Sequence, residues 1–167
     1  MSQPESNAQH AWDLMKHIGV GLFVTHDGHG DNLRARPVHT QLAPQENAIF
    51  FLTNADAKTR EIDANHNACI AYADTSGQKY VSVTGSAAVS DDRAKIKELW
   101  TSADRAFWND ANDPTIRVVR ITPSAAEYWD SPGSIVTAVK LAYAGATGAK
   151  PKLGEHGKVD PAQADRR

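Results

Sequence analysis

The sequence has 167 residues, 41% hydrophobic and 23% charged, with a formal net charge of -2. That is enough chain for one domain with a self-sufficient core, and too little net charge for nucleic-acid or membrane binding driven by bulk electrostatics. A single cysteine, Cys69, excludes an intrachain disulfide and fits a reducing cytoplasm.

The polar N-terminus M-S-Q-P-E-S-N-A-Q-H carries no apolar signal core. No window of the sequence approaches the ~20 apolar residues that span a bilayer. Residues 8 to 18 are predicted as a first helix, because Trp12, Met15 and Ile18 recur at three-residue spacing. After Gly19, V-G-L-F-V-T-H reads as a strand and D-G-H-G-D as a hairpin turn. His26, His29 and Asp31 crowd that turn, but turns use such residues for conformational reasons, and no metal site is inferred. The next strand should run from about Leu33 to Leu42. Pro37 gives no ladder N–H, so this strand lies at an edge or carries a bulge.

A turn over Pro44 to Asn47 leads to a strand from Ala48 to Thr53 and a short helix from Ala57 to Asn65. Ala68 to Asp74 is a further strand, with Cys69 as a small buried hydrophobe. Lys79 to Ser90 alternates, Tyr80 in phase with Ser82 and Thr84, Val81 with Val83. Gly85 marks a bulge or a close backbone approach. Ser90, Asp91 and Asp92 start a helix, and Ile96, Leu99, Trp100, Ala103 and Phe107 continue it as a core-facing stripe. Ile116 to Thr122 and Ala125 to Asp130 read as two strands separated by Pro123, and Ile135 to Tyr143 as a last helix. The Gly-, Lys- and Pro-rich residues 146–167 read as a flexible tail. Many short strands with few helices predict a mainly β fold, an antiparallel barrel with flanking helices.

One corner concentrates the chemistry. R-A-R-P-V-H-T-Q places Arg34, Arg36 and Val38 on one strand face, with Ala35 and Pro37 on the other. The following strand ends in Thr53 and Asn54, and Lys58 lies in the first turn of the next helix. Guanidinium, hydroxyl and ammonium donors near a helix start suit a phosphate, so a phosphate-bearing cofactor is expected. No C-x-x-C, H-E-x-x-H, G-x-S-x-G or strand-following G-x-G-x-x-G competes with that reading.

The blocks R-A-R-P-V-H-T-Q, F-F-L-T-N-A-D-A-K-T-R-E-I-D-A-N-H-N-A-C-I-A-Y, Y-V-S-V-T-G-S-A and A-E-Y-W-D-S-P resemble, in order and spacing, the flavin-binding split-barrel proteins. More narrowly, the chain resembles the general stress protein 26 branch of the pyridoxamine 5′-phosphate oxidase-like superfamily, over residues 8–145. The resemblance implies a six-stranded antiparallel split β-barrel that dimerises, with FMN, or FAD or another flavin, held in clefts between the subunits. It implies a cofactor-binding set of Arg36, Pro37, Val38, Gln41, Leu52, Thr53 and Lys58, completed by Tyr80 and Trp129 from the partner chain. Gln41 stands where the oxidases have a Lys near the flavin ring, and Ala57 where they have an Arg beside the phosphate Lys. Ser134 and Val136 stand near the positions of the R-x-H motif that holds pyridoxal phosphate; neither can grip a phosphate ester as Arg does.

The expectation is therefore a cytoplasmic, homodimeric FMN-dependent oxidoreductase that lacks pyridoxamine phosphate oxidase activity. Its alternative is a non-catalytic flavin sensor or reservoir. Haem or a deazaflavin in the same barrel, and a structural dimer without cofactor, are the remaining readings.

Overall fold

A computed structural model of the protein describes residues 7–29, 31–131 and 154–159. Helix α1 (Asn7–Ile18) is followed by β1 (Val20–His26), β2 (Leu33–His39), β3 (Gln41–Ala43) and β4 (Ala48–Asn54). Then come α2 (Ala57–Ala64), β5 (Asn67–Asp74), β6 (Lys79–Ser90), α3 (Arg93–Leu99), β7 (Ile116–Asp130) and β8 (Glu155–Val159). Among the described residues, the strands form one antiparallel sheet in the order β2-β1-β5-β6-β7-β4-β3, with β8 added to the second half of β7.

The two ends of that path are the same stretch of chain. β2 runs into β3 through Thr40, so the sheet curls until its edges meet covalently. Thr40 is buried, and both its N–H and its hydroxyl lie 3.3 Å from the Gly19 carbonyl. The buried Tyr72 hydroxyl donates to Thr40 Oγ1 at 3.1 Å, and burial pushes that phenol up to about 12. Among the described residues, counting β2 and β3 as one bent strand gives a barrel of six strands, as the resemblance implies. Pro37 sits on the edge strand β2, where its missing N–H interrupts no second ladder.

Alternation decides what fills the barrel. Phe23, Ile70, Val81 and Val83 point inward and are at most 1% exposed, while their neighbours Leu22, Ala71, Tyr80 and Ser82 point outward. β4 is apolar at nearly every position because both its faces are covered. Ile49 and Phe51 enter the barrel, whereas Ala48 and Phe50 join a second core with Ile96, Leu99, Trp108 and Ile116. Each fully buried Phe, Ile or Val contributes about 1.5–3 kcal/mol. Helix α1 closes one end of the barrel with Ala11, Leu14 and Met15.

Several sequence expectations change. The helix after Asp92 is short: the Asp92 carboxylate caps it through the Ala94 and Lys95 N–H groups, and it ends at Leu99. A new capping box between Thr101 and Asp104 starts a separate 3-10 turn over Ser102–Ala106, so the apolar stripe breaks and Phe107 is 75% exposed rather than core. β7 is one continuous strand, because Pro123 and Ser124 are absorbed in a bulge opposite Gly85. Cys69 is half-buried on the outer face, not in the core, because it alternates with the inward Ile70. Within the tail read as flexible, Glu155–Val159 form β8. The helix expected over residues 135–143 lies outside the described residues.

Gly85 meets both expectations at once. The register shifts beside it, and a Cβ there would lie 2.3 Å from the Thr122 carbonyl oxygen. Backbone cannot give way as a flexible side-chain end can, so Gly85→Ala should destabilise the fold by ~1–3 kcal/mol, the usual cost of overpacking. Urea denaturation checks this; an unshifted midpoint would mean the bulge relaxes without cost.

Candidate functional site

The corner singled out in the sequence is where β2, β3, β4 and α2 meet. β4 delivers Leu52 and Thr53 to the barrel rim, and a short turn then enters α2. Asp56 caps that helix by accepting from the Lys58 N–H at 2.8 Å, which places Lys58 in the first turn, close to Thr53. A cavity of about 260 Å³ opens here, and Pro37, Val38, Gln41, Leu52, Thr53 and Lys58 all line it. Six of the nine cofactor-binding residues expected from the sequence thus share one surface. Val38 packs against the barrel core and Leu52 against the second core, which makes one wall of the cavity apolar. Gln41 donates through Nε2 to the Leu99 carbonyl, which fixes the orientation of its amide.

Arg36 is placed differently. It does not line the cavity; its guanidinium turns to Glu61 of α2, with Nη2 at 2.7 and 2.6 Å from the two carboxylate oxygens. Thr25 completes the arrangement, donating to Glu61 Oε2 at 3.0 Å and accepting from Arg36 Nη1 at 3.1 Å. Glu61 and Thr25 are buried, and Arg34 reaches the same carboxylate at 3.5 Å. The guanidinium expected to face a phosphate is thus committed to a buried carboxylate beside the site. Lys58 does line the cavity, but its ammonium lies 2.7 Å from Asp56 Oδ2. Burial works to raise the Asp56 pKa. The hydrogen bonds from the Lys58 side chain and backbone, with the charges of Lys58 and Arg36, outweigh it and hold the carboxyl below its ordinary value.

Tyr80 and Trp129 lie elsewhere. They face each other across β6 and β7, on the outer surface, 37% and 39% exposed. β7 is four strands from β2 by way of β1, β5 and β6. By the other route, Trp129 is eleven residues along β7 from Val118, the partner of Leu52, or roughly 36 Å. Neither aromatic reaches its own chain's cavity. Trp129 is held in place by the His156 ring of β8, stacked at 5.2 Å with an interplanar angle of 20°.

The structure adds residues to the cavity that the sequence reading left out. Asp104, Phe107 and Trp108 arrive from the segment between α3 and β7, and His39 and Asn54 from the strand ends. Trp108 is pinned by donating its indole N–H to Asn54 Oδ1 at 2.7 Å, and the exposed Phe107 ring leans on it at 5.7 Å. The signal was present: T-S-A-D, a helix-starting pattern inside the apolar stripe, marks the point where the first helix must already have ended. Ser134 and Val136 lie outside the described residues. Among the described residues, no group of three His, Cys, Asp or Glu is placed to hold a metal.

The donor set suits a cofactor with a planar ring at one end and a phosphate at the other. Val38 and Leu52 offer apolar surface to a planar ring, Gln41 an amide to its polar edge, and Thr53 with Lys58 a hydroxyl and a cation to a phosphate.

A family profile described as pyridoxamine 5′-phosphate oxidase like matches residues 6–152. No curated protein sequence matches the chain significantly. Among solved structures, a protein from Jannaschia sp. CCS1 assigned as a general stress protein 26 superposes with a TM-score of 0.74 at 23% identity, covering 93% of this chain and 99% of that one. A Clostridium acetobutylicum protein related to general stress protein 26 of B. subtilis gives 0.70 at 12% identity, covering 93% and 95%. A general stress FMN/FAD binding protein from Xanthomonas citri gives 0.63 at 22% identity, covering 74% and 87%. At these identities the likeness establishes the split-barrel fold.

Proposed function

The chain belongs to the pyridoxamine 5′-phosphate oxidase-like family, and from that premise we propose that it binds FMN in the cavity at the β2–β4–α2 corner, as a homodimeric, cytoplasmic general stress flavoprotein. The observation that carries this reading is the convergence of Pro37, Val38, Gln41, Leu52, Thr53 and Lys58 on one cavity. FAD and other flavins share the ring that this wall would take. When bound, FMN supplies hydride and electron transfer. The protein's part is to seat the ring against Val38 and Leu52, to anchor the phosphate through Thr53 and Lys58, and to orient the polar ring edge through Gln41. Tyr80 and Trp129, too distant within one chain, would close the site from a second copy and exclude water.

Ser134 and Val136, near the R-x-H position, lack a phosphate-gripping Arg, which supports an oxidoreductase that does not act on pyridoxamine phosphate. A non-catalytic flavin carrier is the second reading, favoured by the scarcity of proton donors at the cavity. Asp104 Oδ2 is taken up by the Thr101 N–H and hydroxyl at 2.7 and 2.8 Å, and Lys58 by Asp56, which leaves His39 as the lining group suited to proton transfer. Anaerobic mixing of FMN-loaded protein with NADH or NADPH separates the two: bleaching of the flavin faster than free FMN supports the enzyme, and its absence with both donors supports the carrier.

The anchoring role of Lys58 has its own test. Lys58→Ala should weaken FMN binding by ~1.5–3 kcal/mol, the range for a hydrogen bond to a charged group, with little change for riboflavin. Fluorescence titration reads both; equal loss for the two ligands would remove Lys58 from the phosphate end.

A further inference from the structure

We propose that Asp56 is an on-chain competitor for the phosphate and sets how strongly the site prefers FMN over riboflavin. This rests on the flavin reading above and concerns the phosphate end alone.

Arg34, Arg36 and Lys58 face Asp27, Asp56 and Glu61, and each cation is already within ion-pair distance of a carboxylate. Asp56 holds the Lys58 ammonium and the first-turn N–H that an incoming phosphate would meet beside the Thr53 hydroxyl. Its Oδ1 takes the Lys58 backbone N–H of the α2 first turn at 2.8 Å, and its Oδ2 takes the Lys58 ammonium at 2.7 Å. An arriving dianion therefore meets an ammonium already paired with a carboxylate. Either Asp56 lets go of the ammonium, or it stays and repels the phosphate at close range; both lower phosphate affinity and leave ring binding untouched. The depressed pKa of Asp56 agrees, since the carboxylate is fully charged at neutral pH. Arg36 offers no relief while Glu61 and Thr25 hold it.

Asp56 can be changed without removing the cap, because Asn and Ser serve as well at a helix N-cap. Asp56→Asn and Asp56→Ser should keep the melting temperature of the parent protein. A like charge within ~4–6 Å shifts an equilibrium by one or more log units. FMN should accordingly bind at least ~10-fold more tightly to each variant, about 1.4 kcal/mol, while riboflavin binding stays the same. The parent protein and both variants are titrated with each ligand by flavin fluorescence at fixed salt. Unchanged or weaker FMN binding in the variants overturns the proposal. So does equal tightening of FMN and riboflavin, because the effect would then ignore the phosphate. If all three proteins take up riboflavin and FMN alike, Asp56 is a cap and nothing more. FMN uptake by none of them overturns the flavin reading itself.

Discussion

Arg36→Ala is expected to cost about 3–5 kcal/mol of stability in the absence of any flavin, because it leaves a buried carboxylate without its counter-charge. Glu61 is 7% exposed, and its carboxylate rests on the Arg36 guanidinium, the Thr25 hydroxyl and a longer contact to Arg34. Arg34 is half-exposed and shared with Asp27, so it cannot replace Arg36. The loss should lower the melting temperature by on the order of 10 °C for a chain of this length. The sequence-level reading makes the opposite forecast: an arginine poised for phosphate would leave the flavin-free protein's stability untouched and weaken FMN binding alone. An unshifted flavin-free melting curve would therefore restore that reading and show that Glu61 does not depend on Arg36. A double replacement, Arg36→Met with Glu61→Leu, should recover much of the loss, since a packed apolar pair avoids the desolvation that a lone buried charge suffers.

How much of the fold and the site is legible in the sequence depends on the range of each interaction. The strands, their alternation, the Gly85 bulge and the short α2 with Lys58 in its first turn are local, fixed by period, turn chemistry and caps within a few residues. They bring Val38, Leu52, Thr53 and Lys58 to one cavity. Glu61 as the partner of Arg36 was not legible, because that contact spans 25 residues and depends on how α2 packs on β1 and β6. Asp56 is the opposite case. It lies two residues from Lys58, and a reading that asked which residue caps α2 would have found the carboxylate competing for the ammonium. The stripe through Phe107 failed for a third reason: helical spacing persisted by coincidence across a capping box that ends the helix.

Leu22→Arg should break the proposed dimer and, with it, flavin binding. Leu22 points outward at the middle of a row in which Pro37, Leu22, Ala71 and Ser82 are successive neighbours across β2, β1, β5 and β6. The row is small-to-apolar, and Val20, Leu22, Tyr80 and Trp129 on the same face are 37–49% exposed in the single chain, a patch of the kind that a partner covers. Burying an unpaired guanidinium at its centre costs several kcal/mol, whereas the isolated barrel is indifferent, since the inward neighbours Gly21 and Phe23 are unchanged. Light scattering should then give the mass of one chain where the parent protein gives two. FMN affinity should fall by about 5- to 150-fold, because two aromatic contacts worth about 0.5–1.5 kcal/mol each beyond their burial are withdrawn together. The two losses are linked in the proposed dimer: Tyr80 and Trp129 do not line their own chain's cavity, so a second copy would bring them to it. A variant that becomes monomeric yet holds FMN as tightly as the parent would show that the site is complete within one chain, and one that stays dimeric would move the interface to another face.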